Sequence, residues 1–249
     1  MRRYWLDRSE FVRPTFLLGG DRFHHIFKVC RTEENELFEV IIGDGNAYVC
    51  RAKSLKNHSA EVEVVDSRVL PPQPLPHLRL CLSIPKLSTF EIILEKAVEL
   101  GVCEIQLFTS EFSHVKKIDT SVIKKYPRFE KIITNSSQQT GRGDLMSLPP
   151  PKSLKTLLDE LDGRSILFYE HGGESIKRSL GTPAEGSQRW LNIFVGSEGG
   201  FHSSEIDLFR SKGINPIHLG PQILRVETAC VTILSVIKYW LGHFDNPAG

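Results

Sequence analysis

Two glycine-bearing stretches gather the residues of this chain whose types and spacing suit chemistry. They are Val195-Gly196-Ser197-Glu198-Gly199-Gly200-Phe201 and Leu219-Gly220-Pro221-Gln222-Ile223-Leu224-Arg225-Val226-Glu227-Thr228-Ala229. Each follows a short apolar, β-branched run, residues 191–195 and 214–219 respectively, and each leads into a helical pattern. Strand, glycine turn and helix is the arrangement with which α/β proteins hold ligands at the carboxyl ends of their strands. Glycine lets the main chain take φ > 0 and lets a ligand come close to the backbone. Two such turns, about twenty residues apart, predict one pocket built largely from main-chain groups. The ionisable side chains within them are Glu198, Arg225 and Glu227. A pyrophosphate is not the expected ligand, because no G-x-x-x-x-G-K-[ST] loop occurs. Gly43-Asp44-Gly45 lacks the last glycine and the helix of a dinucleotide fingerprint, and reads instead as a hairpin turn.

The elements around these turns alternate. A strand over 78–84 is followed by Ser88 and Glu91, an S-x-x-E capping box that opens a helix through Leu100, where Gly101 stops it. Residues 103–108 read as a strand. The basic segment after it reads as helix, interrupted near Pro127 and ending at Gln138-Gln139-Thr140-Gly141-Arg142-Gly143. A helix over 153–161, strands over 165–170 and 191–195 with a short helix and loop between them, and a helix capped by Ser203 or Ser204 and running to Lys212 complete the pattern. Such alternation predicts an α/β domain with a largely parallel sheet. The last helix, 226–241, carries Ala229, Cys230, Ile233, Leu234, Ile237 and Leu241 in one stripe, widened by Val236, Tyr239 and Trp240. A helix apolar over that much of its circumference is buried on more than one side, and a subunit interface is the sharper reading.

Residues 1–70 differ in kind. Runs at 37–42, 47–52 and 60–65, separated by turn residues at 43–46 and 57–59, predict strands of a small β-barrel. A short helix around 21–30 carries His24, His25 and Lys28 and leads to Arg31. Adjacent histidines cannot share one helix face as i, i+4 ligands do, so no metal site is expected. Four prolines within Pro71-Pro72-Gln73-Pro74-Leu75-Pro76 favour extended chain. This boundary divides residues 1–72 from residues 73–249.

With 40% hydrophobic and 24% charged residues, the 249-residue chain has the composition of a soluble globular protein. No apolar run approaches the ~20 residues that span a bilayer, and the first residues lack the apolar core of a signal peptide. Five widely spaced cysteines without a C-x-x-C predict reduced, buried thiols and a cytoplasmic protein. The net charge of +1 hides an uneven distribution. Residues 1–31 hold seven Lys/Arg against three Asp/Glu, residues 32–76 four against eight, and residues 114–142 seven against two. Two separate basic segments suit an anionic partner such as RNA.

Taken together, these motifs resemble the 16S ribosomal RNA uracil-N3-methyltransferase family of the SPOUT superfamily. Its glycine loop stands here as Gly196-Ser197-Glu198-Gly199-Gly200-Phe201, with Ser197 at the usual proline. Its L-G-x-x-I-L-R-x-E-T-A motif runs from Leu219 to Ala229, its K-A-x-E-L-G is Lys96-Ala97-Val98-Glu99-Leu100-Gly101, and its Q-x-x-R is Gln139-Thr140-Gly141-Arg142. The H-x-x-x-V-x-R pattern appears from His25 to Arg31. Asn135-Ser136-Ser137 departs from the acidic-Ala pair common before the glutamine. The resemblance covers nearly the whole chain.

It implies a PUA-like β-barrel over 1–72 and a trefoil-knotted α/β domain over 73–249. It further implies S-adenosyl-L-methionine as methyl donor, a homodimer, and a small-subunit ribosomal RNA methylated at N3 of one uridine. The donor would lie against Tyr169, Gly196, Glu198, Gly199, Gly200, Leu219, Gly220, Ile223 and Leu224. Arg31, Lys124, Lys125, Lys131 and Arg142 would hold RNA phosphates, fixing register without reading sequence. The N3 proton must leave before or during transfer, which puts negative charge on the ring. Arg225 would stabilise that anion and Glu198 would serve as base. A ribose 2′-O-methyltransferase of the same superfamily and a non-catalytic ribosome-assembly factor are the alternatives. Nucleoside composition of the RNA separates the first, and donor binding without turnover marks the second.

Overall fold

The computed structural model describes residues 1–116, 120–181 and 188–245. By internal contacts the chain divides into two units. One comprises Met1–Pro72 with Thr134–Leu145; the other comprises Gln73–Ile133 with Met146–Gly249. Residues 134–145, which the sequence reading leaves in the second domain, are thus counted with the first unit.

The first unit is built on a five-stranded sheet. Its strands are β1 (Arg2–Trp5), β2 (Thr15–Gly19), β3 (Leu37–Ile41), β4 (Asn46–Leu55) and β5 (Ser59–Val69), in the order β1-β3-β4-β5-β2. All pairs are antiparallel except β1 with β3. The expected hairpin forms at Gly43-Asp44-Gly45. Both glycines have positive φ, and Asp44 accepts hydrogen bonds from the Asn46 N–H at 3.0 Å and the Tyr48 hydroxyl at 2.5 Å. Register shifts between Val49 and Cys50 and between Ala52 and Ser54 are bulges, which bend a strand and increase its twist. The expected helix begins as α1 (Gly20–Phe23) and continues as a π-helix over His24–Val29, where the Cys30 N–H bonds back to the His25 carbonyl. Phe23, Ile26 and Phe27 pack with Phe16, Leu18, Phe38 and Tyr48 as the core.

Glu39 lies in this unit's interior at 3% exposure, held by Arg3 Nε at 2.6 Å and Arg68 Nε at 2.8 Å. Burial alone would raise its pKa; hydrogen bonds from Arg68 and Arg3 outweigh burial and lower it. A lowered folded pKa means stability present above the ordinary glutamate value and lost as pH falls through the folded one. Acid melts should therefore show the first unit losing stability below about pH 4. Glu39→Gln should flatten that dependence while destabilising by about 3 kcal/mol, because two guanidiniums lose their carboxylate.

The second unit is a seven-stranded parallel sheet among the described residues. In chain order it comprises β6 (His77–Ser83), α2 (Leu87–Glu99), β7 (Glu104–Thr109), α3 (Thr120–Ile123), the first part of α4 (Tyr126–Thr140), which passes into the first unit at Thr134, β8 (Lys152–Ser153) and α5 (Leu154–Glu160). Then follow β9 (Arg164–Phe168), β10 (Glu174–Ser175), α6 (Ile176–Ser179), β11 (Trp190–Val195), α7 (Ser203–Ser211), β12 (Pro216–His218) and α8 (Val226–Trp240). The strand order is β10-β12-β9-β11-β6-β7-β8. Strand β11 lies at the centre, and Leu191, Ile193, Phe194 and Val195 are all buried. Ile193 joins the core that includes α2 and α8, whereas Phe194 joins the one that includes α5 and α7. That division is what a parallel sheet covered on both faces requires.

Several local expectations change. The N-cap of α2 is Lys86, so Ser88 falls inside the first turn. Glu91 does not close a capping box; its carboxylate takes Arg128 Nε at 2.5 Å and Nη2 at 2.6 Å instead. His202, rather than Ser203 or Ser204, caps α7: its Nδ1 accepts from the Ser204 N–H, and Glu205 returns the bond to the His202 N–H. The basic segment is helical and interrupted near Pro127 as expected: α3 ends at Ile123 and α4 begins at Tyr126, with Pro127 in its first turn, where a proline lacks only a donor that has no partner. Lys117 and Asp119 of the basic segment, and 182–187 of the loop before β11, lie outside the described residues. None of the five cysteines is in a disulfide. Among the described residues no helix is long and apolar enough to cross a membrane.

Candidate active site

The pocket lies where the strands end. Beyond the carboxyl ends of β9, β11 and β12, and beside the start of α2, a cavity of about 460 Å³ opens. Phe168, Val195, Ile217, Leu219, Leu224 and Ile233 give it an apolar floor. Both glycine turns line it, as their strand-turn-helix pattern predicts. Of the nine expected donor contacts, Tyr169, Gly196, Glu198, Gly200, Leu219, Gly220, Ile223 and Leu224 are on its wall. Gly199 is not: a Cβ there would sit 2.8 Å from Cβ of Phe112, so this residue packs against the 110–113 turn instead.

Local geometry explains the glycines. Gly200 has φ +68°, and a Cβ on it would run into the Glu170 carboxylate. Its N–H closes a tight turn onto the Ser197 carbonyl at 2.9 Å. A Cβ on Gly196 would stand 3.0 Å from the Gly200 backbone. In the second turn Gly220 has φ +114°, and its N–H donates to His218 Nδ1 at 3.1 Å.

Arg225 is the N-cap residue of α8, and it reaches the cavity together with Glu227 one turn-position later. Glu198 reaches the rim from the other loop, where its Oε1 accepts the Lys86 N–H at 3.1 Å. The two residues expected to act on a proton and on an anion thus share one cavity. Cys230 is close by in sequence but chemically quiet. Burial, and secondarily the Glu227 charge, raise its thiol pKa, so it stays protonated.

The residues expected to hold phosphates are divided between the two units. Lys124, Lys125 and Lys131 are exposed around the start of α4. Arg31 belongs to the first unit and holds a left-handed backbone, φ +54°. Arg142 departs from expectation: it is buried, and its Nη2 lies 2.7 Å from Asp144 Oδ2. That guanidinium is paired with a neighbouring carboxylate which is itself half-exposed. Sequence reasoning missed Lys86, Thr89, Glu170 and Gln222, all of which line the cavity. Lys86 and Glu170 follow the ends of β6 and β9, so the strand-end rule applied to the other loops would have found both.

A parallel sheet closed by two glycine turns, with a ligand cavity at its carboxyl edge, defines an α/β enzyme domain of the SPOUT type. Residues 71–238 match the RNA methyltransferase domain family, and residues 18–65 match the RNA methyltransferase PUA domain. The chain belongs to this RNA methyltransferase family. Among its relatives is the ribosomal RNA small subunit methyltransferase E of Aquifex aeolicus, 31% identical over 92% of this chain and 96% of that protein. The Bacillus subtilis protein of the same name is 27% identical over 96% of each chain. A solved structure of ribosomal RNA small subunit methyltransferase E from Neisseria gonorrhoeae, bound to S-adenosyl methionine, superposes with a TM-score of 0.83 at 25% identity, covering 96% of this chain and 97% of that one.

Proposed function

We propose that this chain methylates N3 of one uridine in small-subunit ribosomal RNA, using S-adenosyl-L-methionine, in the cytoplasm and as a homodimer. The observation that carries the reading is the cavity between the two glycine turns. Its apolar floor suits an adenine, and main-chain groups at Gly196, Gly200, Leu219 and Gly220 can approach a ligand without intervening side chains. The relatives named above support the same donor and the same RNA. When bound, the donor supplies an activated methyl on a sulfonium centre.

The chain's own residues do the rest. Uracil N3 is paired inside a duplex, so the base must be presented unpaired or extruded. Arg225, the N-cap residue of α8, is the cation assigned to the charge that develops on the ring's carbonyl oxygens. Glu198 is the assigned proton acceptor, with one carboxylate oxygen held by the Lys86 N–H. The half-buried Val236 and exposed Tyr239 of α8 are the proposed self-association face. The domain assignment follows: residues 1–72 as the PUA-like RNA-binding domain and residues 73–249 as the methyltransferase domain.

Mass spectrometry of ribosomal RNA nucleosides from cells with and without this protein tests the reading. Loss of 3-methyluridine is the expected result. Loss of a 2′-O-methylated nucleoside, or of none, would replace it.

A second measurement addresses the RNA. Changing Lys124, Lys125 and Lys131 together to alanine should weaken RNA binding and lower the slope of log affinity against log salt by about 2 to 3, as fewer counterions are released. Donor affinity should stay constant. An unchanged slope would make these lysines a solvated face only.

A further inference from the structure

Behind the first glycine turn stands a group of hydroxyls that the chemistry above does not use; of its four serines, Ser197 also lines the cavity. Ser83 ends β6 and Ser110 follows β7, and their hydroxyls meet at 2.6 Å. Ser113 Oγ accepts the Ser110 N–H at 3.2 Å and lies 2.8 Å from both the Ser110 and the Val115 carbonyls. These bonds close the 110–113 turn upon itself, and with it the segment that carries the Phe112 carbonyl. Ser197 Oγ donates to this carbonyl at 2.7 Å. All four serines are buried, from 0% exposure at Ser83 to 8% at Ser110. Among the described residues no histidine or carboxylate bonds to any of their hydroxyls, so the group there is not a nucleophile with its base.

Its geometry bears on the donor loop alone. Ser197 is the residue whose carbonyl receives the Gly200 N–H, so the Ser197 side chain and main chain between them tie the loop's tight turn to the 110–113 turn. Gly199 adds the packing contact, pressed against Phe112 Cβ. The main-chain groups at Gly196 and Gly200 are therefore held at a height set by a turn that never reaches the cavity.

We infer that Ser197 is a positioning residue for the donor site: through its bond to the Phe112 carbonyl, the serine group from Ser83 to Ser113 sets the loop that receives S-adenosyl-L-methionine. This rests on the donor assignment of the preceding subsection. Losing one buried neutral hydrogen bond that orders the loop is expected to cost the donor a few-fold to roughly tenfold in affinity.

Calorimetric titration of the full-length protein with S-adenosyl-L-methionine tests the inference, alongside methylation kinetics and thermal melts. Ser197→Ala should weaken the donor roughly five- to tenfold while kcat at saturating donor stays within about twofold. Ser197→Thr, which keeps the hydroxyl, should regain most of the affinity. Ser113→Ala should also weaken the donor, and the double variant should be no weaker than the worse single one, because both act through the same bond. Unchanged affinity in a folded Ser197→Ala protein would overturn the inference, as would strictly additive losses. So would a parallel fall in kcat, affinity and melting temperature that threonine does not repair, which marks a merely structural serine. A parent protein that binds no donor at all would overturn the donor assignment itself, and is distinguishable because it precedes any comparison of variants.

Discussion

Arg225→Ala is expected to cut turnover by about 10²- to 10³-fold while changing donor affinity little. Arg225 is placed at the N-cap of α8, with its side chain on the cavity beside Glu227. Before the N3 proton leaves, uracil is neutral and a guanidinium gains little from it. Once the proton has left, the ring carries a full charge, and a cation at the cavity wall acts on that state alone. Interactions that strengthen only in the transition state appear in kcat rather than in binding. The pH profile carries the signature: the variant's rate should climb more steeply at high pH, where uracil ionises without help. Steady-state kinetics across pH and donor calorimetry check both halves. Equal losses in turnover and donor binding would make Arg225 a binding residue and leave the charge to another group.

The second large effect is on donor binding. Gly200→Val should weaken S-adenosyl-L-methionine by well over tenfold, each tenfold being about 1.4 kcal/mol. Two causes combine. The residue holds φ +68°, which a β-branched side chain scarcely adopts, and its Cβ would collide with the Glu170 carboxylate on the cavity wall. Neighbouring glycines give graded controls. Gly199→Val meets Phe112 Cβ from outside the cavity, so its effect reaches the donor only by shifting the loop, and should be nearer tenfold. A Cβ on Gly220 would meet only Gln222 Oε1, at an ordinary 3.7 Å, so Gly220→Ala should show strain alone. Wild-type affinity in a folded Gly200→Val protein would remove the loop from the site.

What was legible in the sequence was local. Apolar β-branched runs ending in glycine located β11 and both cavity loops, because a turn that must take positive φ writes itself as glycine. The hairpin at Gly43-Asp44-Gly45 was legible for the same reason. Less visible were features decided between distant residues. Ser88 and Glu91 have the spacing of a capping box, yet Arg128, thirty-seven residues away, takes the Glu91 carboxylate. Arg142 looks like a phosphate ligand in a basic segment, and nothing local shows its burial or its pairing with Asp144. Lys86 gives no motif, and enters the site only because β6 pairs with β11. Strand order, and with it the identity of the strands whose ends converge, is not contained in any local period.

The first unit's two-part make-up bears on how the protein can be taken apart. Gln138 Oε1 accepts the Trp5 N–H at 2.7 Å, and Gly141 leaves room for the Arg3 guanidinium, which reaches on to Glu39. Leu70 packs where a side chain on Gly143 would stand. A fragment cut at the proline-rich boundary would lose all three supports, and the arginine that steadies the buried Glu39 would lose its seat. The N-terminal sheet is therefore not a module that can be transplanted by its own contiguous sequence. Any chimera that borrows it must also borrow the chain from 134 to 145, which arrives only at the end of α4.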